Sequence, residues 1–135
     1  MKIVLDTNCL LIAVSGKSEY HCILTAFKQG RYILCCSNDI LLEYEEMLIR
    51  FYQNKVADNV LNFIFYSPSL LLISLYFQWN LISADPDDNK FVNCALNAGA
   101  DYIVTNDKHF NVLKNIKFPP VKVINIETFK SILML

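Results

Sequence analysis

Aspartates stand at the ends of apolar runs in this chain. Asp6 follows the run KIVL, and Asp107 follows YIVTN. Three more, Asp85, Asp87 and Asp88, follow a third apolar run. Gathered carboxylates repel one another and raise one another's pKa. A divalent cation removes that penalty, and hard oxygen ligands suit Mg²⁺ or Mn²⁺. These residue types therefore indicate metal-assisted chemistry if the fold brings them together.

Glu43 is a further carboxylate of interest, on the second turn of a helix predicted after the second strand. It lies off the apolar stripe of that helix, so it faces either the same crevice or solvent. With so few charges in the chain, we expect the acids to have almost no basic partners nearby. That expectation favours a metal site over a set of salt bridges.

Helix capping is the simpler reading of each acid taken alone, because aspartate is a preferred N-cap residue. Asp85 precedes Pro86, which suits the first position of a helix, and Asp88 would then stand at its third. Asp6 and Asp107 would each cap the helix that follows. Glu43 would belong to a solvated helix face. Capping does not, however, predict that several strand ends carry acids to one place.

Other catalytic patterns are missing from the sequence. There is no G-x-G-x-x-G or Walker A loop and no G-x-S-x-G. His21 and His109 are far apart along the chain, which argues against a zinc site.

The elements that must position the acids are short apolar runs alternating with segments of helical spacing. Helices are predicted over Ser18–Gln29 and Ser37–Asn54, and again from Phe91 until Gly99. Alternating strands and helices predict an α/β domain with a mainly parallel five-stranded sheet. In such sheets, ligands bind outside the carboxyl ends of the strands. The predicted strands are Ile3–Leu5, Tyr32–Cys36, Asn80–Ser83, Tyr102–Thr105 and Val121–Ile126.

Residues 60–77 are the most apolar stretch of the chain. Asn62 and the trio at positions 67–69 interrupt it, and we interpret that trio as a turn between two short helices. A membrane helix needs about 20 apolar residues, so none is expected. Pro119 and Pro120 predict another turn before the last strand.

Composition narrows the class of protein. The chain has 135 residues, of which 54% are hydrophobic and 19% charged, and its formal net charge is −1. These values predict one globular domain over residues 1–135 that buries apolar surface against a partner. The net charge gives no excess of Lys and Arg of the kind that usually binds nucleic acid. The five cysteines are expected to be reduced thiols in a cytoplasmic protein.

Three stretches and one residue together resemble the PIN-domain nucleases. They are IVLDTN at the start, Glu43 on an early helix, DPDDNKFVNCAL and GADYIVTND. The similarity spans nearly the whole chain and is greatest to the small stand-alone PIN toxins, which are VapC-like. It implies a three-layer α/β/α fold with a carboxylate quartet that binds Mg²⁺ or Mn²⁺. Carried over position by position, that quartet is Asp6, Glu43, Asp88 and Asp107, with Asp85 or Asp87 as alternatives for the third acid.

Residues beside the quartet in the sequence have expected roles as well. Residues expected to orient its carboxylates or a water are Thr7, Asn8, Thr105 and Asn106. Lys90 and Lys108 are candidates for contacts with substrate phosphates. The family often has another acid two positions after the fourth, where this chain has His109. This difference predicts a second metal position that is weak, or that is occupied only when a substrate phosphate helps to bind the ion.

The implied activity is hydrolysis of RNA phosphodiester bonds by the toxin of a type II toxin–antitoxin pair. Its partners would be RNA, a small antitoxin protein and further copies of the chain. Two alternatives stay open: a catalytically inactive PIN-like module that only binds protein, and a Mg²⁺-dependent phosphatase of another α/β type. An aspartyl phosphatase prefers D-x-D near the first strand, where this chain has Asn8 as the third residue.

Overall fold

The computed structural model describes residues 1–75, 80–82, 85–115 and 121–134. The strands are β1 (Lys2–Leu5), β2 (Ile33–Cys36), β3 (Leu70–Leu72), β4 (Tyr102–Val104) and β5 (Val123–Ile124). The helices are α1 (Thr7–Val14), α2 (Cys22–Lys28), α3 (Asn38–Phe51), α4 (Asn54–Phe65), α5 (Asn89–Ala98) and α6 (Ile126–Met134), with 3₁₀ segments at Pro86–Asp88 and Lys108–Asn115.

The five strands form one sheet in the order β3-β2-β1-β4-β5, and each pairing between neighbours is parallel. The predicted α/β fold with a central, mainly parallel sheet is therefore confirmed. Helices cover the sheet, and α5 packs across β1, β2 and β4. The central strand β1 is buried, with Ile3, Val4 and Leu5 at most 1% exposed, which explains its continuously apolar sequence.

The order of the strands defines a switch point. From β1 the chain adds β2 and β3 on one side, and then returns to add β4 and β5 on the other. The chain connections therefore run in opposite directions from the boundary between β1 and β4, which is the switch point. In open α/β sheets, ligands bind in the crevice at the switch point, outside the carboxyl ends of the strands. Asp6 and Asp107 follow these two strands.

The third strand was predicted wrongly. It is Leu70–Leu72 and not Asn80–Ser83; residues 80–82 are outside any strand, and residue 83 lies outside the described residues. Positions 67–69 do form a turn, in which Ser67 Oγ accepts the Ser69 N–H at 3.0 Å. A strand and not a second helix follows, because pairing with β2 satisfies its backbone groups.

Several element boundaries also differ from the prediction. The first predicted helix begins only at Cys22, and Ser37–Asn54 divides into α3 and the start of α4. The last strand is limited to Val123–Ile124. The predicted turn at 119–120 lies outside the described residues. Among the helices of the described ranges, none has the length and apolarity to cross a membrane.

Two glycines lie just beyond the ends of helices, and Gly99 does so as predicted. Gly30 and Gly99 have φ values of 72° and 64°, the left-handed conformation that L-residues rarely adopt. Gly99 follows α5 directly, and its N–H donates to the carbonyl of Leu96. This turn sends the chain from α5 into β4, and thus to Asp107.

Candidate functional site

One threonine hydroxyl joins the two acids at the switch point. Thr105 Oγ1 donates to Asp6 Oδ2 at 2.7 Å and accepts the backbone N–H of Asp107 at 3.0 Å. The side chains of Asp6 and Thr105 are both buried, at 5% and 4% exposure. Asp6 N–H also donates to the carbonyl of Val104 at 3.0 Å, which continues the β1–β4 ladder into the site.

Glu43 reaches the same crevice from α3. Its Oε2 accepts a hydrogen bond from the hydroxyl of Thr7, the residue that follows Asp6. Its Oε1 lies 2.8 Å from Nζ of Lys90, in an ion pair whose side chains are 25% and 20% exposed. The expectation that the acids have almost no basic partner is therefore wrong for Glu43. Burial disfavours the charged form of Lys90, but the hydrogen bond and charge of Glu43 outweigh it and raise the pKa of this ammonium.

The third acidic segment enters as a 3₁₀ turn before α5. Asp85 closes this turn, since its Oδ1 accepts the Asp87 N–H at 3.2 Å and its carbonyl accepts the Asp88 N–H at 3.0 Å. Asp87 is exposed and borders a neighbouring cavity. The carboxylate of Asp88 is only 13% exposed and faces Asp107 and Asp6. Of the three aspartates, Asp88 is the one whose charge interacts with both Asp107 and Asp6.

Capping accounts for only part of the acid pattern. Asp6 and Asp88 hold the N-cap positions of α1 and α5, yet neither side chain makes a capping hydrogen bond. Asp107 does act as a cap, because its Oδ1 accepts the His109 N–H at 2.9 Å at the start of a 3₁₀ segment. Two of the three carboxylates thus make no capping hydrogen bond to their own helices.

Burial first, and mutual repulsion second, raise the pKa values of Asp6 and Asp88. Burial, together with the charges of Glu43 and Asp107, raises the pKa of Asp6, although the Thr105 hydroxyl partly opposes this. Burial and the charges of Asp107 and Asp85 raise the pKa of Asp88 to about 6. A bound cation would relieve both penalties.

His109 belongs to the cluster as well. Its Nδ1 lies 3.4 Å from Asp88 Oδ2 and 3.5 Å from Asp107 Oδ1. One ligand atom from each of Asp85, Asp88 and His109 lies within 4.8 Å of the others. A search for paired histidines does not find this group, because His109 combines with carboxylates and not with His21. The informative signal was its position two residues after Asp107.

The remaining residues of the predicted site have other surroundings. Asn106 Oδ1 accepts the Ile126 N–H at 3.1 Å, which turns this side chain toward the start of α6. Asn8 and Lys108 are exposed. Thr7 and Thr105 are therefore the predicted orienting residues that directly contact the acids.

An open cavity of about 590 Å³ adjoins the cluster and shares Glu43 and Lys90 with it. Its other charged lining residues are Asp39, Glu46 and Asp87. With more acids than bases, this surface repels a polyanion unless cations are bound.

The donor set fits Mg²⁺ or Mn²⁺. Asp6, Asp88 and Asp107 offer hard oxygen atoms from three separate parts of the chain. Glu43 is joined to this set through its hydrogen bond with Thr7. Burial and the neighbouring acids raise the pKa of Asp6 and of Asp88, a penalty that a bound cation would reduce. Oxygen-rich sites of this kind suit Mg²⁺ and Mn²⁺.

Comparison with known proteins agrees with this arrangement. A sequence model described as PIN domain matches residues 2–109. Among solved structures, the chain is similar to one from the crystal structure of VapBC2 from Rickettsia felis bound to a DNA fragment from their promoter. The TM-score is 0.63 at 17% identity, over 93% of this chain and 98% of that one. No curated protein matches significantly. Since the PIN model spans most of its length, the chain belongs to the PIN domain family.

Proposed function

We propose that this PIN-domain protein is a metal-dependent endoribonuclease and the toxin of a type II toxin–antitoxin pair. One observation carries the proposal: acids from three distant segments meet at the switch point, and Asp6 and Asp88 do so without capping their own helices. Membership in the PIN family and the fold shared with a VapBC2 chain support it.

In this proposal Asp6, Glu43, Asp88 and Asp107 hold the cation. A bound Mg²⁺ or Mn²⁺ would lower the pKa of a water and neutralise charge on the scissile phosphate. Thr105 fixes the carboxylate of Asp6 and the backbone of Asp107, and Thr7 fixes Glu43. Water adds to phosphorus, the bond to the 3′ oxygen breaks, and that oxygen takes a proton. The products carry 5′-phosphate and 3′-hydroxyl ends.

Lys90 is the basic residue beside the acids. Its ammonium is held by Glu43 at 2.8 Å, at the border of the adjoining cavity. There it is placed to offer positive charge to a phosphate next to the scissile one. Lys108 is exposed beside Asp107 and is a second candidate for such a contact. Single-stranded or looped RNA is the proposed substrate, because an open acidic crevice does not read the groove of a duplex.

A small antitoxin and a second copy of the chain are the proposed protein partners, in the cytoplasm. The similarity to a VapBC2 chain supports the first. Exposed apolar side chains support contacts of both kinds, since Leu42 and Phe65 on α3 and α4 are 63% and 55% exposed. The free thiols of the five cysteines agree with a reducing compartment.

The test is cleavage of single-stranded RNA with Mg²⁺ or Mn²⁺ and with EDTA. Asp6→Asn and Asp107→Asn are each expected to lower the rate by about 100-fold or more while circular dichroism shows a folded chain. Asp101→Asn is the matched control: Asp101 lies at the opposite end of β4, where its Oδ2 accepts the Lys2 N–H at 2.8 Å. Full activity in both site variants would reject these residues as the metal cage.

The same experiment addresses the alternatives. A catalytically inactive binding module would cut no RNA under any metal condition. A phosphatase would release phosphate from simple esters and leave internal RNA bonds intact, a reaction that membership in the PIN family does not favour.

A further inference from the structure

His109 sits where it can contribute a nitrogen atom to the acid cluster. Its Nδ1 is 3.4 Å from Asp88 Oδ2 and 3.5 Å from Asp107 Oδ1. These separations are longer than the 2.7–2.9 Å or so of a good charge-assisted hydrogen bond. They match ligand atoms around one ion: with bonds of about 2.1 Å, adjacent ligands are roughly 3 Å apart and opposite ones roughly 4.2 Å.

The backbone of His109 is anchored to the acid cluster. The N–H of His109 donates to Asp107 Oδ1 at 2.9 Å, so the residue cannot move away from that carboxylate without losing the bond. The side chain itself is 45% exposed, which leaves the imidazole room to rotate toward an ion. Asp85 completes the group, with one oxygen within 4.8 Å of the ligand atoms of Asp88 and His109.

We propose that His109 is a direct nitrogen ligand of the divalent cation, beside Asp88 and Asp107 and with Asp85 as a further oxygen ligand. The proposal rests on the proposed function, since it concerns the same metal. A ligand role for His109 replaces the expectation that histidine, in place of an acid at this position, weakens the second metal position. Imidazole favours the later first-row metals whereas an all-oxygen set suits Mg²⁺. His109 therefore shifts the preference of the site from Mg²⁺ toward Mn²⁺.

The test detects the nitrogen directly. Protein without a histidine tag is loaded with Mn²⁺ and studied by pulsed electron paramagnetic resonance, in which a coordinated imidazole gives a ¹⁴N coupling. The wild type is expected to show this coupling, and His109→Asp to bind Mn²⁺ without it. Calorimetry should show the ratio of Mn²⁺ to Mg²⁺ affinity falling on the order of tenfold in His109→Asp.

His21→Gln is the matched control, because it removes the other histidine of the chain. His21 lies away from the cluster, with its Nδ1 2.9 Å from the carbonyl of Ala13. This variant should keep the ¹⁴N coupling and the wild-type affinity ratio.

The outcomes separate this inference from the proposed function. Mn²⁺ binding and RNA cleavage without any ¹⁴N coupling, or with a coupling that survives in His109→Asp, would overturn the role of His109 alone. A coupling specific to His109 in a protein that cuts no RNA would support the ligand and reject the nuclease. Absence of Mn²⁺ binding would reject both.

Discussion

At the scale of single residues, the site depends on side chains that hold the acids as much as on the acids themselves. The acids could be named from the sequence because each stands in a distinctive pattern: Asp6 in LDTN and Asp107 in VTND. Thr7 and Thr105 could be expected beside the acids because they stand in the same patterns, but the lysine partner of Glu43 could not be foreseen. Lys90 lies 47 positions from Glu43, and no local pattern relates two residues that only packing of α5 against α3 brings together.

Thr105 offers a test of how strongly the acids rely on their support. Thr105→Val keeps the shape of the side chain and removes the hydroxyl that joins Asp6 to the Asp107 backbone. We expect metal affinity and RNA cleavage to fall by about 10- to 100-fold, and the free energy of unfolding by about 1–3 kcal/mol, because a buried donor loses its partner. Calorimetry and denaturant titration measure these. Thr105→Ser should retain much of the wild-type metal affinity and free energy of unfolding. Thr128→Val, at an exposed threonine, should change neither quantity. Wild-type metal affinity in Thr105→Val would refute the role of Thr105 in holding the acids.

Lys90 competes with a cation for Glu43. Lys90→Met should lower the free energy of unfolding of the metal-free protein by about 1 kcal/mol, since the ion pair is half-buried. It should also raise Mg²⁺ affinity, because Glu43 Oε1 is released. Arg50→Met is the control, as it breaks an exposed pair with Glu46 on α3 whose side chains are 61% and 66% exposed. Weaker Mg²⁺ binding in Lys90→Met would show instead that Lys90 supports the metal site.

At the scale of elements, strands were predicted well where both faces are buried and poorly at the edge of the sheet. The runs at β1, β2 and β4 are continuously apolar and fully paired, so the sequence pattern and the fold agree. The edge strand β3 is three leucines, residues 70–72, and leucine favours helix and strand alike. Its pairing with β2 therefore determines that this segment is a strand. The third strand was predicted instead at Asn80–Ser83, where Leu81 and Ile82 are also apolar.

Gly99 links α5 to β4 and is an element boundary that is sensitive to substitution. Its φ of 64° is strained for any residue with a Cβ atom, although no atom lies within 4 Å of a Cβ placed there. Gly99→Ala should therefore cost about 1 kcal/mol of stability from backbone strain alone. Gly16→Ala is the control, because Gly16 also has open space and its φ is not positive. Equal stability of the two variants in urea titration would contradict this.

At the scale of the whole molecule, folding brings like charges together, and this costs stability until a cation binds. The pKa of Asp88 is raised to about 6 from its usual value of 3.8. Above pH 6 the carboxylate is charged in both folded and unfolded chains, and the folded one bears the penalty. As the pH falls from about 6 toward about 4, the folded state takes up the proton first, so stability rises.

We therefore expect the thermal midpoint of the metal-free protein to rise, relative to that of Asp88→Asn, as the pH is lowered from 7.5 to 5. At pH 7.5, Asp88→Asn should be more stable than the wild type by about 1–2 kcal/mol. Saturating Mg²⁺ should reverse this order. Calorimetry should record one cooperative transition, as proposed for a single domain over residues 1–135. A wild-type midpoint that follows that of Asp88→Asn across this range would show that Asp88 carries no such penalty.

The distribution of the cysteines has a practical consequence for labelling. Cys9, Cys35, Cys36 and Cys94 are buried, and burial raises the pKa of Cys9 and Cys94 to about 12 and that of Cys35 to about 11. Thiolate, the form that reacts with maleimides, is scarce at these positions near neutral pH. Cys22 alone is partly exposed, at the start of α2. The native chain thus offers a single attachment point for a fluorophore without any engineered substitution.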